Sequence, residues 1–197
     1  MKFNGMIAGV GGQGTVLASK LIAAAAMKRG YDVRTTETIG MAQRGGSVVS
    51  HVRIGENICS PLIPPGGAQA LIAFEPAEAV RQLPYLCAGG TVIVCDSAIK
   101  PVADPKAGGV YEAAAMIDYL KANVQKLVVI DGRRITERGA KTLNVALLGA
   151  AAHRGIFPFD ADTLKEVIPE MLPRRFWDMN VQSFEWGRAY HEHAGTN

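Results

Sequence analysis

Residues 3–14 read Phe3-Asn4-Gly5-Met6-Ile7-Ala8-Gly9-Val10-Gly11-Gly12-Gln13-Gly14, and the rest of the architecture follows from how this run is parsed. Phe3 to Ala8 has the length and apolar density of a short buried strand, which the glycines after it end in a turn. A helical pattern then extends from about Gln13 to Arg29, with Val16, Leu17, Leu21 and Ile22 as its heavier apolar positions and alanines elsewhere. Gly30 is placed to cap the C-terminus of that helix. Small alanine side chains let a helix approach a sheet or a partner closely. A strand, a glycine turn and a helix in this order open a doubly wound α/β sheet.

Working outward, the alternation continues. Tyr31 to Thr35 reads as a second strand, and Thr36 to Gly46 as a glycine-bearing loop. Ser47 to Ile54 is β-branched, with Ser47, Val49, His51 and Arg53 alternating against Val48, Ser50, Val52 and Ile54. Pro61 to Gly67 reads as loop. Ala68 to Phe74 and Thr91 to Cys95 are continuous apolar runs, as central strands covered on both faces require. A helix from Pro76 to Leu83 lies between these two runs, and one from Glu112 to Ala122 precedes the next strand, Lys126 to Ile130. After Asp131 the character changes. Lys141 to His153, Asp162 to Met171 and Asn180 to His193 carry helical patterns, punctuated by Pro158 and Pro173. The expectation is one domain over residues 1–197, an α/β sheet part in 1–131 and a helical part in 132–197. The helical third should pack on the sheet and offer a subunit interface. Ligands of such sheets lie in the crevice beyond the strand C-termini.

Composition narrows the function. The chain has 197 residues, 48% of them hydrophobic and 20% charged. That is ample for one core and sparse for a free-standing surface, which is compatible with cover by a partner. The net charge of +3 comes with no basic block. Arg133-Arg134 and Arg174-Arg175 are isolated pairs, so nucleic-acid binding is not expected. No stretch spans a bilayer and the N-terminus lacks a cleavage region, so the expectation is a cytoplasmic chain without a membrane. Cys59, Cys87 and Cys95 are three scattered cysteines without a C-x-x-C pair, and an iron–sulfur cluster takes four thiolates, mostly in tight runs. His51, His153, His191 and His193 form no zincin-like pattern, so no metal site is expected.

Two glycine motifs carry the chemistry. Gly9-x-Gly11-x-x-Gly14 matches the dinucleotide fingerprint in the right context, between strand and helix. There the backbone approaches a ligand closely and the helix N-terminus offers unpaired N–H groups to an anion. Gln13 is unusual in such a site. Glu37 lies beyond the usual spacing for a ribose contact, whereas Arg34 suits a 2′-phosphate. The second motif is Thr38-Ile39-Gly40-Met41-Ala42-Gln43-Arg44-Gly45-Gly46-Ser47. Its glycines imply a loop of defined shape that holds Arg44, whose fork suits a carboxylate or phosphate. An arginine satisfying its own loop's carbonyls is an equal alternative. His51 is expected to be a hydrogen-bonded structural histidine. Glu75, Asp96 and Asp131 at strand ends are expected to cap helices.

The first motif, taken with Met41-Ala42-Gln43-Arg44-Gly45-Gly46-Ser47-Val48-Val49-Ser50-His51-Val52-Arg53, resembles the gamma subunit of 2-oxoacid:ferredoxin oxidoreductases. Ser60-Pro61-Leu62-Ile63-Pro64 and Ala73-Phe74-Glu75-Pro76 are similar to the beta subunit of the indolepyruvate type. In that type a histidine often precedes the Gly-Met pair, where Ile39 stands here.

The resemblance implies a Rossmann-like α/β fold with a doubly wound, mainly parallel sheet. It implies a subunit, inactive alone, of an enzyme that oxidatively decarboxylates a 2-oxoacid, such as pyruvate, indolepyruvate or another aryl pyruvate, to an acyl-CoA. Thiamine diphosphate and iron–sulfur clusters sit in a partner subunit that passes electrons to ferredoxin, and the gamma part serves the coenzyme A side. Catalytic residues are expected in the partner. The cofactor-binding set expected here is Gly9, Gly11, Gly12, Gln13, Gly14, Thr38, Gly40, Met41, Gln43, Arg44, Gly45 and Gly46. Two other readings compete: a stand-alone NAD(P)- or flavin-dependent oxidoreductase, resting on the fingerprint and Arg34, and a non-catalytic nucleotide-binding scaffold on the same fold.

Overall fold

The N-terminal strand β1 (Phe3–Val10) organises the sheet in the computed structural model, which describes residues 3–39, 46–99, 111–139 and 142–190. Its partners are β2 (Val33–Ile39), β3 (Ser47–Ile54), β4 (Ala68–Ala73), β5 (Leu86–Cys95) and β6 (Lys126–Ile130), arranged in the order β2-β3-β1-β4-β5-β6. β1, β4, β5 and β6 pair in parallel, while β3 runs antiparallel to both β1 and β2. The mainly parallel sheet therefore holds, with one reversed strand that the sequence does not announce. Its cause is the short connection between β2 and β3, because a parallel return needs a crossover of roughly a dozen residues or more. β3 consequently takes the place beside β1, and β2 moves to the sheet edge.

Helices cover both faces. On one lie α1 (Thr15–Lys28), α4 (Gly132–Gly139), α5 (Leu143–His153), α6 (Ala161–Met171) and α7 (Trp177–Arg188); on the other lie α2 (Pro76–Gln82) and α3 (Ala113–Asn123). The cores follow strand parity, with Ile7, Ile72 and Ile93 turned to the α1 side and Met6, Leu71 and Val92 to the α2 side. α1 ends as its glycine foretells. Gly30 is left-handed (φ 79°), its N–H bonds Met27 O at 2.9 Å, and the Tyr31 N–H reaches back to Ala26 O at 3.1 Å.

The helical third does pack on the sheet, and α5 is its centre. Every residue from Asn144 to Ala152 is buried, so α5 shows no polar face. A Cβ on Gly149 would overlap Phe184 O, and one on Gly187 would overlap Ala146 O, so α5 and α7 meet backbone to backbone. Small residues here are a condition of that crossing.

Several boundaries differ from expectation, among them β1, which runs to Val10 rather than Ala8, and α7, which starts at Trp177 rather than Asn180 and ends at Arg188. β2 covers Val33–Ile39 rather than Tyr31–Thr35, because pairing with β3 runs through Ile39 opposite Val48. Thr36 to Ile39 are thus strand, not loop. β5 begins at Leu86 instead of Thr91, with Gly89 left-handed (φ 74°) where the register against β4 shifts. α4 has no counterpart in the sequence reading; its start is set by Asp131 and Asp96, described below.

Candidate functional site

The turn after β1 is braced from several sides. Gln13 folds its side chain inward: Oε1 accepts from Val10 N–H at 2.6 Å, and Nε2 donates to Phe74 O at 3.0 Å. This fastens the turn to the end of β4. Gly9 lies beneath that amide, and a Cβ there would stand 2.8 Å from Gln13 Oε1 and 2.9 Å from Thr15 Cγ2. Gly11 N–H donates to Gly46 O at 2.9 Å, so the two glycine motifs touch. Gly14 is the N-cap of α1 in the left-handed region (φ 84°). A Cβ on it would meet Nδ2 of the buried Asn144 at 2.5 Å, and the same Nδ2 donates to Gly14 O at 3.3 Å.

What remains open is the start of α1. No side chain among the described residues caps it, and its first helical bond is Ala18 N–H to Gly14 O at 3.0 Å. The N–H groups of Thr15, Val16 and Leu17 thus precede the intrahelical ladder. Gly12 (φ 100°) has no atom within 4 Å of where a Cβ would stand. The turn faces a cleft of about 640 Å³, walled also by Leu17, by Cys95 at the end of β5 and Ser97 after it, by Gly132 and Ile135 of α4, and by Leu143 and Asn144 of α5. Burial pushes the Cys95 thiol up to about 11, so this cysteine lines the cleft as an un-ionised apolar group. The donors are backbone amides and an asparagine, a set suited to phosphate or carbonyl oxygens.

A second cavity, about 480 Å³, opens along the same edge between α3 and α4 and includes Asp96, Asp131, Arg134 and Tyr190. Here the helix start is filled. Asp96 Oδ1 accepts from Gly132 N–H at 2.8 Å, and Asp131 Oδ1 accepts from Arg133 N–H at 2.9 Å and Arg134 N–H at 3.4 Å. Glu75 likewise caps α2, its Oε2 accepting from Glu78 N–H at 3.0 Å. All three strand-end acids are caps, as their positions imply.

The expected set divides accordingly. Gly9, Gly11, Gly12, Gln13, Gly14 and Gly46 come together. Thr38 lies on edge strand β2 opposite Val49. Gly40, Met41, Gln43, Arg44 and Gly45 fall outside the described residues. His51 is structural: it is buried, its Nδ1 accepts from Ile63 N–H at 3.2 Å, and burial lowers its pKa. Asn144 and Glu78 were not foreseen, being 130 and 31 residues from their partners Gly14 and Ser47. The only hint of Asn144 was one amide in the otherwise apolar start of α5.

The stand-alone dinucleotide reading loses its geometry. β3 separates β2 from β1, which places β2 roughly 9.6 Å away instead of one strand spacing. Arg34 is exposed and donates to its neighbour's carbonyl, Val33 O, and Glu37 accepts from Ser19 Oγ under α1. As for metals, no group of three or more His, Cys, Asp or Glu side chains among the described residues could hold one. Cys87 and Cys95 stand near opposite ends of β5, roughly 25 Å apart along the strand. Among the described residues, no helix is long and apolar enough to cross a membrane.

Comparison with known proteins places this geometry in context. The family model described as pyruvate ferredoxin/flavodoxin oxidoreductase matches residues 4–190. The chain is 36% identical over 193 residues to "Indolepyruvate oxidoreductase subunit IorB" of Thermococcus kodakarensis, covering 94% of each chain. It is 37% identical over 190 residues to the protein of the same name from Archaeoglobus fulgidus, covering 95% of this chain and 94% of that one. Among solved structures, the keto/oxoacid ferredoxin oxidoreductase gamma subunit from Geobacter sulfurreducens shares the fold with a TM-score of 0.67, at 21% identity over 94% of this chain and 95% of that one. A 2-oxoglutarate:ferredoxin oxidoreductase from Magnetococcus marinus, solved with 2-oxoglutarate, coenzyme A and succinyl-CoA bound, matches with a TM-score of 0.68 and 19% identity. That match covers 95% of this chain and 30% of the other.

Proposed function

The chain belongs to the pyruvate ferredoxin/flavodoxin oxidoreductase family, and on that premise we propose that it is the cluster-free subunit of a 2-oxoacid:ferredoxin oxidoreductase of the indolepyruvate type. Its partner is a larger subunit carrying thiamine diphosphate and iron–sulfur clusters, which decarboxylates the oxoacid and passes electrons to ferredoxin. This chain contributes the α1 cleft to the coenzyme A side of the joint site.

The observation that carries this reading is the braced but uncapped start of α1 over a 640 Å³ cleft. Coenzyme A presents phosphates and amide carbonyls, all acceptors. The donors among the described residues, the first N–H groups of α1 and the Asn144 amide, match them. When bound, coenzyme A would supply the thiol that accepts the acyl group. The role of this chain is to hold and orient the carrier: Gly12 keeps space over the helix start, Asn144 and Gln13 fix the turn, and Leu17 and Leu143 exclude water. Nucleophilic work by Cys95 is not part of the proposal, since its thiol stays protonated near neutrality.

The test is reconstitution. The chain alone should not reduce a dye acceptor with any 2-oxoacid and coenzyme A. Co-expressed with its cluster-bearing partner it should do so, fastest with indolepyruvate or another aryl pyruvate. Gly12→Ala should leave the fold intact at a cost of about 1–2 kcal/mol for a side chain at positive φ. In the assembled enzyme it should raise KM for coenzyme A more than KM for the oxoacid. Equal activity with and without this chain would refute the proposal.

A further inference from the structure

Resting on the reading of the α1 cleft as the coenzyme A side, we propose that Glu78 and Ser47 are positioning residues, which hold the start of β3 against the glycine turn and so set the shape of that cleft. The observation is a ring of hydrogen bonds around the carboxyl ends of β1 and β4 and the amino end of β3. Gly11 N–H donates to Gly46 O at 2.9 Å. The next residue, Ser47, donates its hydroxyl to Glu78 Oε2 at 2.6 Å. Glu78 N–H donates to Glu75 Oε2 at 3.0 Å. Glu75 follows Phe74, whose carbonyl accepts from Gln13 Nε2 at 3.0 Å, and Gln13 Oε1 returns to Val10 N–H at 2.6 Å. The ring thus starts and ends in the turn that opens on α1.

A simple stability role explains this arrangement poorly. Glu78 is a carboxylate whose side chain is only 5% exposed, paired with Arg81, which is 54% exposed. A helix-surface pair of that spacing needs no burial. What draws Glu78 under the surface is the Ser47 hydroxyl on a different element. Beside it, Oε1 of Glu75 is buried with no hydrogen-bond partner among the described residues, a feature that costs stability. Asp, Asn or Ser at that N-cap would close α2 with a shorter reach. The long acids instead link α2 to the ring. Nothing in the spacing of Ser47 and Glu78 in the sequence discloses the link, since they come together only when β3 lies beside β1 and α2 folds over the opposite face from α1.

The experiment uses the complex of this chain with its native partner. KM for coenzyme A, KM for the oxoacid and kcat are measured for Ser47→Ala, Ser47→Thr, Glu78→Gln and the Ser47→Ala/Glu78→Gln pair. Ser47→Ala is expected to raise KM for coenzyme A about tenfold, the effect of losing one charge-assisted bond, while KM for the oxoacid stays put. Ser47→Thr keeps the hydroxyl and should restore the parent value. The double variant should be no worse than the worse single one, because both changes act on the same contact, Ser47→Ala by removing its donor and Glu78→Gln by removing its charge. Gly12→Ala serves as the reference for the cleft itself. If it raises KM for coenzyme A and Ser47→Ala does not, the ring has no positioning role and the inference falls while the cleft assignment stands. If neither moves it, both fall. Ser47→Thr as impaired as Ser47→Ala, or an additive double variant, would also overturn the inference.

Discussion

Two helix starts share the carboxyl edge of this sheet and are finished in opposite ways. α4 begins under Asp96 and Asp131, whose oxygens take up the N–H groups of Gly132, Arg133 and Arg134. α1 begins at a left-handed glycine with no side-chain cap, though two amides, Gln13 and Asn144, hold its turn rigid. Either start could have received an aspartate. The difference teaches that rigidity and satisfaction are separate: α1 is fixed in place, but no side chain among the described residues caps its donors. That combination is what a binding cradle needs, since ligand affinity is then not lost to ordering the loop.

The sharpest way to break this contrast is to fill the brace. Gly14→Ala adds a Cβ at φ 84° that meets Asn144 Nδ2 at 2.5 Å. Left-handed strain and overpacking together should cost about 3–4 kcal/mol, read as a large fall in denaturation midpoint. Pairing it with Asn144→Ala should recover the overpacking part. A midpoint unchanged in Gly14→Ala would mean that the turn is not braced.

Glu75 sharpens the capped side. Burial pushes its carboxyl up to about 7 from 4.5, against the cap bonds from Glu78 and Ala77 that favour the ionised form. A raised carboxyl pKa means that the folded chain holds a proton the unfolded chain gives up. Its effect is therefore absent below about pH 4.5, and stability falls as pH rises toward 7 and then levels off. Glu75→Gln keeps an oxygen for the Glu78 N–H and removes the titration. The variant should match the parent near pH 4.5 and exceed it at pH 8 by on the order of 3 kcal/mol. Denaturation of both chains at the two pH values checks this; a pH-independent difference would contradict it.

The smallest effect is expected at α4. Asp131→Ala removes a cap and should cost about 1 kcal/mol of stability. Although this opens a second helix start on the same edge, KM for coenzyme A in the assembled enzyme should not change. A shift there comparable to that of Gly12→Ala would erase the distinction between the two starts.

Much of this was legible from residues 3–14 and from the strand runs, because glycines after a strand and β-branched or continuous apolar runs leave few alternatives. Ser47–Ile54 and Lys126–Ile130 appear with the boundaries their patterns imply. The reversal of β3 was not legible, because its burial on both faces comes from tertiary cover: α1 on one side, and on the other the segment that inserts Ile63 against His51. The glycine turn was readable as a motif, but its brace was not. Gln13 read as a possible ligand contact and proves to be engaged with Val10 and Phe74, while Asn144 and Glu78 acquire their roles only through long-range packing. α4 escaped notice because Gly132-Arg133-Arg134 carries no apolar stripe, and its start depends on caps from two separate strands.

Hydrogen exchange in the assembled enzyme, with and without coenzyme A, tests the contrast most directly. If the open start of α1 receives the ligand, amides of residues 12–17 should exchange more slowly when coenzyme A is added, and those of residues 132–134, already bonded to Asp96 and Asp131, should not respond. Unchanged exchange at residues 12–17, or equal slowing at both helix starts, would contradict the account.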